Sequence, residues 1–274
     1  MRRSTGGVPS HSTDARQPTR LELALGHDRA PLIILLILFP LVCWWWIVVM
    51  ARDMYGPMTG ASAWMMTLRW DARHVFLLWA MWAVMMAGMM LPSASPMLLL
   101  YGAAAGRRGA GERAAIEIYA LAAGYVAVWA AFSLFATAAQ RILSMLLIVS
   151  PMMRLTSPTV GAALLITAGI YQLTPLKLSC LQKCQTPFGF LLLHWRAGVG
   201  GAFRMGIEHG AYCLGCCWAL MLLLFVGGVM NLAVIAALTL FVAFEKLGPF
   251  GARAARISGG LLMAAGFWML ATSR

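Results

Sequence analysis

Long apolar runs without a charged residue dominate the pattern of the chain. A helix needs about 20 apolar residues to cross a hydrocarbon core of about 30 Å. Backbone N–H and C=O groups cannot stay unpaired in lipid, so runs of this length predict transmembrane helices. They are too long and too uniformly apolar for outer-membrane strands. The uncharged runs cover residues 31–50, 75–106, 118–139, 155–176, 210–244 and 257–273.

The run at residues 210–244 is too long for one spanning helix. Its 35 residues would form a straight helix about 52 Å long. We therefore predict a hairpin of two helices that breaks near Gly227, Gly228 and Asn231. Two spans need about 40 residues, so the first of them is predicted to begin near Gly206. Residues 208 and 209 then lie at the membrane boundary or inside it.

These runs together predict an all-α, polytopic transmembrane bundle of about seven spans, with six as the alternative count. The bundle is expected to occupy residues 31–274. Residues 1–30 are rich in Arg, Ser, Thr, Pro and Gly, which predicts a disordered basic tail. No small-residue cleavage site follows the first apolar run, which argues against a cleaved signal peptide.

Composition and charge agree with a membrane location. The chain is 61% hydrophobic and 11% charged, whereas soluble domains carry about 25% charged residues. Its net charge is +12, but no basic patch with interleaved aromatic residues suggests a nucleic-acid partner. With the N-terminus inside, 15 of the 21 basic residues fall on the inner side, as the positive-inside rule requires. The bilayer is therefore the first expected partner.

This orientation brings the chemically interesting helix ends to one face. The ends of the second, fourth and sixth spans and the start of the fifth are all predicted on the cytoplasmic side. They carry most of the thiols, thioethers and ionisable residues of the predicted bundle. We therefore predict that a site lies in the cytoplasmic half of the bundle.

The densest motif combines one histidine with three cysteines. On a helix, His209, Cys213 and Cys216 fall within about 60° of one another, and Cys217 lies beside them. Imidazole and thiolate ligands suit Cu(I) and Zn(II). The alternative is that these cysteines are small apolar side chains that pack well in buried helices.

A second thiol pair follows Pro175, which is expected to break or kink the fourth span. Cys180 and Cys184 are four residues apart, so a helical segment would place both thiols on one face. The alternatives are a non-helical loop that the two cysteines hold together and a disulfide between them. The predicted cytoplasmic side is reducing, which disfavours the disulfide.

Methionines form two stripes on the predicted second span. Thioethers are soft ligands that could pass Cu(I) along a path. The alternative is that they fill gaps beside the close-packed Gly88. One stripe contains Met81, Met85 and Met89, and the other contains Met86 and Met90.

Ionisable residues beside the spans are further candidates, because they are costly in a membrane and tend to be functional. Glu245 is a candidate hard ligand, a hydrogen-bond partner for His209 or a proton carrier. The alternative is that Glu245 and Lys246 form a solvated helix end.

Four motifs resemble a family of bacterial integral membrane proteins that are usually labelled as predicted metal-binding membrane proteins. The motifs lie at residues 80–96, 168–184, 201–221 and 244–249, and the resemblance covers roughly residues 60–270. It implies metal binding in the membrane but no particular reaction. By position, it points to Cys180, Cys184, His209, Cys213, Cys216 and Cys217, with Glu245 as a further candidate.

The leading hypothesis is a bacterial inner-membrane protein that binds or moves a soft metal, with Cu(I) favoured and Zn(II) as the alternative. The expected site contains His209, Cys213, Cys216 and Cys217 with help from Cys180 and Cys184, and the methionines line a path. One rival is a membrane thiol–disulfide oxidoreductase that uses the same cysteines. The other is a non-catalytic assembly subunit that packs against a membrane protein partner. Whether the chain is an enzyme stays open.

Overall fold

The computed structural model describes residues 30–56, 71–108, 113–148, 150 and 155–273, and in these ranges the chain is all-α, as predicted. A π-helical stretch, Ile34–Leu38, joins the first two helices, and a 3-10 turn, Pro92–Ala94, joins the helices Ala72–Met90 and Ser95–Arg107. The predicted tail at residues 1–30 lies almost wholly outside the described residues. The helices are α1 (Ala30–Ile33), α2 (Phe39–Tyr55), α3 (Ala72–Met90), α4 (Ser95–Arg107), α5 (Arg113–Met145), α6 (Pro158–Leu173), α7 (Pro175–Gln185), α8 (Pro187–His194), α9 (Gly198–Gly227), α10 (Leu232–Leu247) and α11 (Gly251–Thr272).

The predicted hairpin is present, and its break lies where the sequence placed it. Helix α9 ends at Gly227, and Gly228 adopts φ +93°, a conformation that favours glycine. The Asn231 side chain then caps α10 by accepting from the backbone N–H groups of Ala233 and Val234.

The predicted start of the first hairpin helix was wrong. Helix α9 begins at Gly198, about two turns before Gly206, because the Gly-rich segment continues the helix. Residues 208 and 209 therefore lie well inside a helix and not at its first turn. Arg196 and Arg204 form ion pairs with Glu208 on its exposed side.

The predicted break at Pro175 is also confirmed. Thr174 separates α6 from α7, and the two helices are bent by 64°. The Thr174 hydroxyl accepts from the backbone N–H of Lys177, and Pro175 occupies the first turn of α7. Cys180 and Cys184 consequently lie on a helix, with the helical spacing that was predicted.

By length and composition, the described residues contain fewer spans than seven. Five helical stretches are long and apolar enough to cross a membrane, and the bent pair α6–α7 makes a sixth if it counts as one span. Helix α10 has 16 residues, so it is about 24 Å long and shorter than a hydrocarbon core of about 30 Å. The seventh predicted span therefore depends on this short helix. The spanning stretches are Ile34–Tyr55, Ala72–Arg107, Arg113–Met145, Gly198–Gly227 and Gly251–Thr272.

Helix α9 lies at the centre and packs closely along α5. A Cβ at Gly124 would collide with the carbonyl oxygen of Phe203, and a Cβ at Gly206 would collide with that of Leu121. Small residues allow this close approach of helix backbones, as in membrane helix pairs. The remaining faces of α9 contact α6, α7 and α10, which bring the other candidate residues to it.

Candidate metal centre

The three thiols of α9 are buried on its inner face. Cys213, Cys216 and Cys217 are each about 1% exposed. The thiols of Cys216 and Cys217 donate to the Cys213 carbonyl oxygen over 3.1 Å and 2.9 Å. These bonds turn both sulfurs back toward the start of the helix, where Cys213 lies.

Helix α7 adds a fourth and a fifth thiol. Cys184 Sγ lies 4.0 Å from Cys216 Sγ. Cys180 packs against Gly215, where a Cβ would lie only 2.8 Å from the Cys180 sulfur. The structure therefore brings together the two predicted thiol groups across the α7–α9 contact. All six cysteines of the chain are free thiols.

The end of α3 contributes a thioether. Met90 Sδ lies 3.9 Å from Cys217 Sγ. The 3-10 turn after α3 leaves the Met90 carbonyl without its usual helical donor, because the Ala94 N–H bonds to Leu91 instead. The other four methionines of the predicted stripes, Met81, Met85, Met86 and Met89, are buried in the hydrophobic core. That they line a metal path stays a prediction.

Lys246 and Tyr125 complete this group of side chains. The sequence argument named Lys246 only as a neighbour of Glu245, and it missed Tyr125. Lys246 Nζ donates to Cys213 Sγ over 2.7 Å and to Ser93 Oγ over 3.2 Å. Tyr125 Oη lies 2.8 Å from Cys213 Sγ and donates to the Met90 carbonyl oxygen over 3.0 Å. We call the whole group the thiol cluster, which contains Met90, Ser93, Tyr125, Cys180, Cys184, Cys213, Cys216, Cys217 and Lys246.

His209 lies one turn before Cys213 but has aromatic neighbours. Its ring centroid is 5.9 Å from that of Tyr125 and 5.5 Å from that of Phe190. Its Nδ1 is buried and has no hydrogen-bond partner among the described residues. The Tyr125 side chain contacts both His209 and Cys213, so it lies against the histidine on one side and the thiols on the other. That His209 shares a metal ion with these thiols stays a prediction.

Glu245 belongs to a separate group, which we call the carboxylate cluster. Its Oε2 pairs with Lys177 Nζ at 2.7 Å, and its Oε1 accepts from Gln172 Nε2 over 3.0 Å. Gln185 Nε2 donates to the Glu245 carbonyl oxygen, and Gln172 also donates to Ser258. The predicted alternative of a solvated helix end was wrong, because Glu245 is 1% exposed and Lys246 5%. The structure gives the Glu245 carboxylate Lys177 and Gln172 as partners, and its predicted roles as a metal ligand, a His209 partner or a proton carrier stay predictions. The carboxylate cluster contains Gln172, Lys177, Gln185, Glu245 and Ser258.

The described residues do not form a ready-made metal site of the usual kind. Nowhere among them do three His, Cys, Asp or Glu side chains converge so that they could hold one ion. The sulfur atoms come in pairs instead, and one of the two pairs includes a methionine. Such an arrangement can offer soft ligands two at a time.

A comparison with protein families gives one match. A family model named PpoB2 and described as a copper chaperone matches residues 79–269, which is 191 of the 274 residues. The matched range includes both clusters and His209. Comparisons with curated proteins and with solved structures gave no match.

Proposed function

We propose a copper-handling function from one premise: the chain belongs to the PpoB2 copper chaperone family. Membership suggests copper as the metal that the protein meets. We propose further that the thiol cluster is where copper binds, that the bound form is Cu(I), and that the protein hands the ion on to an acceptor.

The observation that carries this proposal is the pairing of sulfur atoms from three helices. Two sulfurs that share an ion at about 2.3 Å each can lie up to about 4.6 Å apart. Cys184 and Cys216 satisfy this limit at 4.0 Å, and Cys217 and Met90 satisfy it at 3.9 Å. Thiolate and thioether sulfur together form the soft ligand set that selects Cu(I).

The same geometry favours Cu(I) over Zn(II), the other metal expected from the sequence. Structural zinc sites have four Cys or His ligands in a tetrahedron. In the described part of the chain, His209 packs between aromatic rings and Glu245 binds Lys177, so neither completes such a tetrahedron. Two neighbouring sulfur pairs are also suited to a chaperone, because an ion held by few ligands can move from one pair to the next.

We also propose that the chain spans a bacterial inner membrane with its N-terminus inside. The outer faces of the helices expose large apolar side chains, such as Trp45 on α2, Leu240 on α10 and Trp268 on α11. A soluble monomer rarely exposes contiguous apolar surface of this extent, whereas lipid would cover it. The positive-inside bias supports the orientation.

Loss of one sulfur pair tests the proposed copper site. We expect Cys184→Ser with Cys216→Ser to lower the Cu(I) content of the purified protein by one equivalent per chain, because hydroxyl oxygen is a poor ligand for Cu(I). Copper per chain would be measured by mass spectrometry after anaerobic loading against a Cu(I) chelator. The matched control is Cys43→Ser, which makes the same change at a buried cysteine that packs against Gly88. An unchanged copper content in the double variant would rule out this pair as the site.

A second candidate function, thiol–disulfide exchange, is favoured by the same pair. Cys184 and Cys216 are close enough to form a disulfide after a small movement, with two electrons and two protons passing to an acceptor disulfide. It predicts a redox-dependent mobility shift after thiol alkylation in metal-free protein, and the double serine variant would lose that shift. A protein that shows neither copper binding nor the shift would instead support the assembly-subunit hypothesis.

A further inference from the structure

We propose that the groove between α10 and α11 binds one anionic phospholipid from the surrounding bilayer. This inference rests on the membrane location under the proposed function, but it does not depend on the copper site. The groove lies against Phe244 of α10, next to the buried Glu245 and Lys246.

The groove has the shape and lining that a lipid acyl chain needs. Its volume is about 500 Å³, within the range of about 300–1,000 Å³ that is usual for small-ligand sites. Aromatic and aliphatic side chains form most of its wall, among them Phe241, Phe244, Phe250 and Leu261. A hydrocarbon chain would cover this apolar surface.

Among the described residues that line the groove, one is charged, and its charge is positive. Arg253 has its guanidinium carbon 5.5 Å from the centroid of the Phe250 ring, and both residues line the groove. A guanidinium matches the oxygens of a phosphate in two parallel hydrogen bonds. Helix α11 also begins beside Arg253 without a side-chain cap, so its first N–H groups favour an anion.

An amphiphile fits this combination better than other ligands do. A free phosphate would use Arg253 and leave the phenylalanines uncovered, while a neutral apolar helix would leave the arginine without an anion. An anionic phospholipid satisfies both ends. Arg253 is also one of the basic residues that the positive-inside rule places on the cytoplasmic side, where anionic lipids attract basic residues.

The groove is connected to the carboxylate cluster. Ser258 lines the groove and accepts from Gln172 Nε2 over 3.0 Å, and the same amide donates to Glu245. A lipid bound here would therefore stabilise the packing of α11 against the helices that hold the buried ion pair. Since it binds the folded protein, it would also raise the stability.

The test compares two lipids that differ in headgroup charge alone. Purified full-length protein in neutral detergent would be mixed with phosphatidylglycerol or phosphatidylcholine of the same acyl chains. We expect native mass spectrometry to show one retained phosphatidylglycerol and thermal unfolding to shift upward with that lipid more than with phosphatidylcholine. Arg253→Gln should abolish the difference between the lipids. Arg256→Gln, which removes the same charge one turn later on α11 but outside the groove lining, should keep it.

A second variant tests the hydrocarbon part of the groove. Ala254→Trp would fill the groove with an indole ring and should reduce retention of both lipids. Equal retention of the two lipids by the unaltered protein, or unchanged selectivity in Arg253→Gln, would overturn the proposal. A dimer that added lipid does not alter would also overturn it, because a second copy of the chain would then cover the groove. Copper content measured in the same samples separates this result from the copper function, which Arg253→Gln should leave intact.

Discussion

Each of the two buried clusters contains a lysine, but the groups that accept from its ammonium differ. In the carboxylate cluster, Lys177 pairs with Glu245 at 2.7 Å, and amides from Gln172 and Gln185 supply further hydrogen bonds to Glu245. In the thiol cluster, the acceptors of Lys246 are a sulfur and a hydroxyl. No carboxylate of the described chain forms an ion pair with it.

This difference agrees with a structural role for the carboxylate cluster and with the binding role proposed for the thiol cluster. A buried ion pair whose two charges are paired and hydrogen-bonded is closed: neither Lys177 nor Glu245 needs a ligand, although the buried Oε1 of Gln172 has no partner among the described residues. A buried ammonium beside soft, weakly hydrogen-bonding sulfur is costly unless the site has another use. We infer that the carboxylate cluster holds α7 and α10 together and that the thiol cluster is kept for binding.

The largest expected effect comes from breaking the closed cluster. Glu245→Ala leaves the fully buried Lys177 without its anion, and removing one partner of a buried pair costs about 3–5 kcal/mol. We expect the free energy of unfolding in mixed micelles to fall by that amount. The double variant that combines Lys177→Met and Glu245→Met should recover most of the lost free energy of unfolding, because no unpaired charge remains. A single variant as stable as the unaltered protein would contradict the structural role of the cluster.

Much of the architecture could be predicted, because long uncharged runs strongly favour helices. Uncharged runs of the right length predict helices, and proline and the Gly-Asn turn mark the breaks at Thr174 and Gly228. The charge bias also predicted that the ends of several spans meet on one side, and contacts from Cys184 and Lys246 to α9 agree with that grouping. The cytoplasmic assignment of that side stays a prediction.

The direction of individual side chains could not be predicted from spacing. His209 is in phase with Cys213 on the helical wheel, yet Tyr125 from α5 and Phe190 from α8 occupy the space around its ring. Spacing along one helix does not reveal which neighbouring helix fills a gap. Only the packed bundle shows that Tyr125 contacts both residues.

Neighbouring charges at a helix end posed the same difficulty. Glu245 and Lys246 follow an apolar run, which is equally typical of a solvated end and of a buried pair. They point to different clusters, because adjacent residues on a helix are about 100° apart. The one available signal was the cost of ionisable residues beside a span, and it identified the pair without assigning the partners.

A smaller effect is expected when the charge of the thiol cluster is removed. Lys246→Met has a similar volume and takes away a buried charge that has no carboxylate partner. We expect the free energy of unfolding to change by no more than about 1 kcal/mol, or to rise, since apolar replacement of buried charges is often neutral or stabilising. The same unfolding curves would measure it beside Glu245→Ala. A loss of about 3–5 kcal/mol would mean that Lys246 is as structural as Lys177, and the contrast between the clusters would fail.

A further small effect concerns the neutral hydrogen bonds of the thiol cluster. Tyr125→Phe keeps the ring beside His209 but removes the hydroxyl that donates to the Met90 carbonyl. Ser93 Oγ still donates to that carbonyl over 2.7 Å, so we expect a loss of only about 0.5–1.5 kcal/mol.

Adding Ser93→Ala to this variant should cost more than the two single losses combined. The double variant leaves the buried Met90 carbonyl without either side-chain donor, and an unpaired buried acceptor costs about 1–3 kcal/mol. Unfolding of the four proteins in one double-mutant cycle would measure the coupling. Strictly additive losses would show that the hydroxyls do not substitute for each other. The coupling expected here follows from the same contrast, because one carbonyl with two neutral donors can lose either of them, whereas Lys177 has a single carboxylate partner.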